Sequence, residues 1–148
     1  MFTRQVCRRL HEEHEATLAL CSRLEASLAA GRSDAALMRA AAAALGAEVE
    51  RHFAFEEAEL FPRLAAGGEG DIAELLQEEH VTIRAAAAQF IALVKENSLK
   101  NELRVVGLEL AERLASHAQK EEMSMLPALD DLLNEELDHE LASAYAAL

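Results

Sequence analysis

HFAFEEAELFP at residues 52–62 is answered by HAQKEEMSMLP at residues 117–127. Both run His, three residues, Glu-Glu, and then one of the chain's two prolines ten residues after the His. On a helix, residues four apart project from one face about one turn apart. His52 with Glu56, and His117 with Glu121, therefore each present an imidazole and a carboxylate together. The second glutamates, Glu57 and Glu122, are turned roughly 100° further and face solvent or neighbouring helices. Pro62 and Pro127 are predicted to end or sharply kink their helices at the preceding residue.

The repetition extends upstream. LHEEHEATLAL (10–20) matches LLQEEHVTIRA (75–85), with His14 paired to His80 at an offset of 66, while His52 pairs to His117 at an offset of 65. Each half reads as a helix with EEH, a turn, and a helix with H-x3-EE. Two helical hairpins related by an approximate twofold axis generate this pattern.

Helical periodicity breaks at AGRSD (30–34), AAGGEGD (65–71) and ENSLKN (96–101). The expected helices lie near 3–30, 34–61, 71–96 and 99–126, each roughly 40 Å long at the standard rise. Ser33 or Asp34 caps the second, and Asp71 with Glu74 forms a capping pair for the third. Connections this short make neighbours antiparallel, so the expected fold is all-α: an up-down-up-down four-helix bundle. The segment ALDDLLNEELDHELASAYAAL (128–148) reads as an additional short C-terminal amphipathic helix. Its apolar residues cap the bundle or meet a second copy or another protein partner. Residues 1–148 are expected to form one domain, with the bundle over about 3–126.

Composition agrees with helices and restricts the partners. Of 148 residues, 51% are hydrophobic and 28% charged, with one Tyr and no Trp, too few aromatics for a sheet protein. A net charge of −13 argues against nucleic acid or an anionic membrane surface, since both require clustered Lys and Arg. The alanine-rich run at 40–47 falls well short of the ~18 to 20 residues of a membrane span. The opening MFTRQVCRRLHEEHE lacks a signal-peptide core, so a cytoplasmic protein is expected. Cys7 and Cys21 on one helix stand about 21 Å apart, too far to bridge. With His14 and Leu28 they form a seven-residue stripe, the mark of a buried face.

Helix geometry tests the histidines independently. His14 and His80 lie about 11 and 9 residues into their helices, and His52 and His117 about 9 before the ends of theirs. In an antiparallel bundle all four imidazoles then share one layer, some 13 to 17 Å from one end, with Glu56 and Glu121 one turn nearer it. One H-x3-E-E in an acidic chain is weak evidence, and a single histidine on an apolar face is commonly a core residue bonded to backbone. Two copies with matched prolines are a different case. Four imidazoles and two carboxylates at one level cost too much desolvation unless a cation holds them. A metal-free interaction bundle would leave that layer unsatisfied.

Four His and two Glu suit borderline transition metals, not the all-oxygen shells of Ca²⁺ and Mg²⁺. They also exceed what one tetrahedral zinc uses. Two metals sharing both carboxylates as bridges fit better, each with two imidazoles, two carboxylate oxygens, an oxo or hydroxo bridge and one free position. Iron leads, as Fe²⁺ or Fe³⁺, and manganese follows.

The series His14, His52-x3-Glu56, His80, His117-x3-Glu121 resembles the hemerythrin-like, or HHE cation-binding, proteins over about residues 7–127. The resemblance implies a four-helix bundle around a non-haem di-iron centre, with Glu56 and Glu121 bridging and His14, His52, His80 and His117 as terminal ligands. Oxygen carriers of that family have a further histidine one turn before the position that His80 matches; here it is Leu76, which cannot ligate. That departure opens the second iron and favours relatives that sense iron, respond to nitric oxide or peroxide, or supply iron for repair of iron centres. His11, three residues before His14, is a candidate substitute ligand. Glu13 and Glu79 are expected at the surface, with the option of accepting an imidazole N–H. His139 reads as a surface residue, and Phe55 and Met125 as core and pocket wall; Tyr145 cannot be placed. The expected function is binding of O2, NO or peroxide with redox turnover, including a weak peroxide-decomposing activity. The alternative is an iron sensor, store or repair protein without turnover.

Overall fold

A computed structural model describes residues 1–31, 34–97 and 101–148. The chain is all-helical: four long helices form an antiparallel bundle, and a short C-terminal helix follows. We label them α1 (Gln5–Ala29), α2 (35–66), α3 (Gly70–Lys95), α4 (101–132) and α5 (Glu135–Ala146). None of the described helices is long and apolar enough to cross a membrane.

The prolines do not end their helices where the sequence suggests. α2 passes Pro62 to Ala66, and α4 passes Pro127 to Leu132. In each case a π turn lies just before the proline, at Glu56–Leu60 and at Glu121–Met125. The closing bonds run from Phe61 N–H to the Glu56 carbonyl and from Leu126 N–H to the Glu121 carbonyl, five residues back. A proline in an α-helix lacks its N–H and collides with the carbonyl four residues earlier. The wider turn relieves that collision and starts a new α-helical segment at whose first turn the missing N–H has no cost. A further π turn spans Glu48–His52.

Helix starts differ in their caps. Asp34 caps α2 by accepting from Leu37 N–H at 3.1 Å, as expected, while Ser33 lies outside the described residues. For α3 the expected Asp71–Glu74 pair is replaced by a start one residue earlier, with Glu69 at the cap and no side-chain bond; Asp71 sits in the first turn, where the helix dipole favours its charge. The cap of α1 comes from the other end of the chain. Asp130 accepts from the backbone N–H groups of Thr3 (3.0 Å) and Arg4 (2.8 Å), and Asp138 from Gln5 (2.8 Å) and Val6 (3.0 Å). These groups have no partner within the helix, and the carboxylates also meet its positive dipole end. This fastens α5 to α1, with Leu141 and Tyr145 buried beneath it.

The core consists of two apolar clusters. One holds Cys21, Leu24, Leu45, Phe53, Ile83, Phe90, Leu110 and Leu114; the other holds Val6, Leu10, Leu60, Leu76, Met125, Leu129 and Tyr145. A buried His or Glu marks the passage from one cluster to the other on every bundle helix: His14 on α1, His80 on α3, His117 with Glu121 on α4, and on α2 His52 and Glu56, which flank the changeover between Phe53 and Phe55. Both cysteines are buried as free thiols, in line with the stripe.

Candidate metal centre

The six residues His14, His52, Glu56, His80, His117 and Glu121 are at most 2% exposed. They converge as two overlapping groups, His14–His52–Glu56–Glu121 and Glu56–His80–His117–Glu121, in each of which the donor atoms lie within 4.8 Å of one another. Both carboxylates belong to both groups, and each divides its oxygens between them. Glu56 Oε2 lies 2.9 Å from His52 Nε2, while its Oε1 lies 3.2 Å from His80 Nε2. Glu121 Oε1 lies 2.7 Å from His14 Nε2, and its Oε2 lies 3.2 Å from His117 Nε2.

The outer nitrogens explain the doubled glutamates. His80 Nδ1 stands 2.7 Å from Glu57, His117 Nδ1 2.8 Å from Glu79, His14 Nδ1 3.1 Å from Glu122, and His52 Nδ1 3.2 Å from Glu13. An ionised carboxylate can only accept, so each Nδ1 donates a proton to its outer glutamate and each Nε2 is turned inward. The glutamates preceding the EEH histidines and those following the H-x3-E pairs thus cross to the histidine of an adjacent helix. Glu13 and Glu79 accept imidazole protons, not the surface placement expected for them. The rotation of about 100° that takes them off the metal face aims them at a neighbouring helix.

Most of these outer carboxylates are neutralised in turn. Arg84 donates to Glu57 at 2.5 and 2.9 Å, Lys120 donates to Glu79, and Arg9 and Arg51 donate to Glu13 at 3.1 and 3.3 Å. Burial alone would raise the carboxyls of Glu57 and Glu79, but their cationic and imidazole partners hold both below the usual range. Phe53 stacks on His80 with ring centres 3.7 Å apart and planes 2° from parallel, fixing that ring further.

The inner layer is arranged as a cation would need it. His80 Nε2 and His117 Nε2 face each other at 3.0 Å, and Glu56 Oε1 and Glu121 Oε2 are buried with no hydrogen bond. Unsatisfied buried acceptors carry a large desolvation cost. Without a cation, protons take its place. Burial and the Glu121 charge push the Glu56 carboxyl well above its ordinary range. Burial alone would lower His52, but Glu56 and three further glutamates hold it well above its ordinary value. His80 is depressed to about 4 by burial and the neighbouring His117 charge.

The remaining sequence candidates fall outside this layer. His11 bonds through Nδ1 to Glu122, with Nε2 2.6 Å from Glu15, and lies in neither donor group. Leu76 is buried in the apolar cluster next to the layer, as is Leu10, which holds the equivalent position before His14. Phe55 and Met125 are core, and His139 is exposed. Tyr145, which sequence alone does not place, is buried with its hydroxyl bonded to Glu13.

Residues 6–141 match the hemerythrin HHE cation binding domain. No curated protein and no solved structure gives a significant match. The buried His and Glu groups are candidate ligands for the cation that the domain description names. The chain belongs to the hemerythrin HHE cation-binding family.

Proposed function

We propose that His14, His52, Glu56, His80, His117 and Glu121 hold two iron ions and that the centre binds dioxygen, nitric oxide or peroxide, with redox turnover. One observation carries this reading: each buried carboxylate offers one oxygen to the His14–His52 pair and the other to the His80–His117 pair. That is the donor arrangement for two cations sharing two bridges. The mix of imidazole and carboxylate favours a borderline first-row metal.

Iron would supply a change of oxidation state and a free position for a small ligand. The chain's own residues orient the donors through the four Nδ1 contacts and exclude water. Leu10, Leu76, Leu60 and Met125 line the adjoining apolar cluster, which suits small ligands of low polarity and disfavours bulk water. Leucine at position 76 leaves the His80–His117 side without a further protein donor.

Protein purified from cells grown with iron is expected to carry close to two irons per chain. Its absorption in the near ultraviolet should change on addition of azide or nitric oxide. A colourless protein that takes up no anaerobically supplied Fe²⁺ would remove the proposal.

A second reading, an iron sensor or store, draws on the cost of the metal-free layer. A buried Glu56 beside a charged Glu121 strains the bundle, so cation binding to the folded form raises its stability by linkage. Iron-dependent melting without peroxide consumption would select it. Peroxide consumption abolished by Glu121→Ala would select turnover.

A further inference from the structure

Three of the four outer glutamates are held from within the bundle: Glu57 by Arg84 on α3, Glu79 by Lys120 on α4, and Glu122 by His11 on α1. Glu13 is different. Its Oε1 takes both His52 Nδ1 and the hydroxyl of Tyr145, which α5 carries. Arg51, the residue before His52, completes the arrangement. Its guanidinium lies 4.5 Å above the Tyr145 ring, one nitrogen donates to Glu13 at 3.3 Å, and another to the Tyr145 carbonyl at 3.5 Å. Tyr145 is fully buried, its ring 4.7 Å from Phe55 and 6.3 Å from His52, so the phenol has no freedom to seek another partner without moving α5.

We infer that Tyr145 is a positioning residue for the metal centre: through Glu13 it holds His52, so that docking of α5 and cation binding on the His14–His52 side reinforce one another. The inference rests on the metal reading above and goes beyond it by assigning the C-terminal helix a part in the site. Its physical basis is a chain of three contacts, phenol to carboxylate, carboxylate to Nδ1, and Nε2 to the cation position. A carboxylate anchored at one oxygen by two donors fixes the direction from which it receives the imidazole proton. Glu48 also approaches His52 Nδ1, at 2.9 Å, but from the same helix one turn earlier. It therefore cannot transmit anything from α5. Because coupling between two binding events is reciprocal, a cation that fixes His52 must also favour the docked α5.

The expected asymmetry is specific. Loss of the Tyr145 hydroxyl weakens one cation position and leaves the His80–His117 position alone, since no outer carboxylate of that pair touches α5. Removing a direct outer partner of a metal ligand costs about 10- to 100-fold in affinity; a group one contact further out is expected to cost about three- to tenfold.

The test uses the full chain, stripped of metal and titrated with Co²⁺ alone, whose ligand-field bands report each position as it fills. Tyr145→Phe keeps the ring packing, so the metal-free melting temperature changes little. Its His14–His52 position should bind Co²⁺ about three- to tenfold more weakly with altered bands, while the other changes less than twofold. Equal binding and identical bands in both proteins would overturn the inference, as would equal weakening of both positions, which marks a general loosening. In the wild-type protein, hydrogen exchange across residues 135–146 should slow on Co²⁺ loading; unchanged exchange would overturn it whether or not the variant folds. If the wild-type protein itself takes up no Co²⁺, the metal reading falls and the inference falls with it. Two bound Co²⁺ with no response to Tyr145→Phe sinks the inference alone.

Discussion

Glu57 on α2 accepts the Nδ1 proton of His80 on α3 at 2.7 Å while it is bound by Arg84 one turn further along α3. A metal-ligating imidazole gains its orientation and part of its basicity from such an acceptor. Glu57→Gln keeps the shape but removes the charge, and cation affinity on the His80–His117 side should fall about 10- to 100-fold. Glu59→Gln, two residues away and bonded to Arg63, should change nothing. Competition of both variants against a chelator of known affinity distinguishes them.

Glu56 and Glu121 bear opposite consequences with and without metal. In the metal-free protein Glu56 is a buried carboxyl that must take up a proton to sit beside the charged Glu121, a cost that an amide lacks. Glu56→Gln should stabilise the metal-free bundle at pH 7 by about 1–2 kcal/mol, because the neutral amide needs no proton to be buried there. It should also remove a carboxylate that both donor groups share, so the rise in melting temperature on metal addition largely disappears. Paired thermal melts with and without Fe²⁺ under anaerobic conditions test both halves, and a variant less stable than wild type without metal contradicts the electrostatic account.

Where α4 passes α1 and α3, Gly107 allows close approach. A Cβ there would stand 2.5 Å from Leu28 Cδ1 and 3.2 Å from Phe90 Cε1. Overpacking of this kind costs about 1–3 kcal/mol, against at most about 1 kcal/mol gained in helix propensity. Gly107→Ala is expected to destabilise. At Gly46 the nearest contact is Ile91 Cδ1 at 3.3 Å, so there the propensity gain should win and Gly46→Ala should be neutral or mildly stabilising. Urea denaturation of the two variants reads the difference.

Asp130 makes the bundle acid-sensitive at a place remote from the metal layer. Burial would raise its carboxyl, but the backbone N–H groups of Arg4 and Thr3, with the Thr3 hydroxyl, hold it below the ordinary range. A carboxyl depressed in the folded state contributes stability that is fully present above its unfolded pKa, near 3.9, and lost as pH falls through the lower folded value. Asp130→Ala should cost about 0.5–2 kcal/mol at pH 7, typical of a lost helix cap. The difference from wild type should shrink below about pH 4 and vanish once the native carboxyl is protonated. Equilibrium unfolding between pH 2 and 7 measures it.

The helical class, the antiparallel hairpins and the level of the six donor residues were legible in the sequence because they follow from one-dimensional spacing. A period of 3.6 and a repeat offset of 65 to 66 place His14, His52, His80 and His117 at one height without any knowledge of packing. Glu56 and Glu121 join them because a four-residue step returns to the same helix face. What spacing along one helix cannot supply is the azimuth of its neighbours. Glu13, Glu57, Glu79 and Glu122 point away from the metal face, and only the arrangement of adjacent helices turns that direction into contact with a histidine instead of solvent. The π turns were hidden for a related reason: a proline reads as a stop unless the turn before it is known to widen, although its recurrence six residues after both inward glutamates was a signal of it. The caps on α1 and the bond from Tyr145 to Glu13 join residues more than 120 positions apart, a distance over which local periodicity carries no information. Sequence alone therefore determined which side chains stand at the level of the buried His–Glu layer, since height follows from counting along a helix. Tertiary structure decided which carboxylate holds which imidazole, since that depends on how separate helices are turned toward each other.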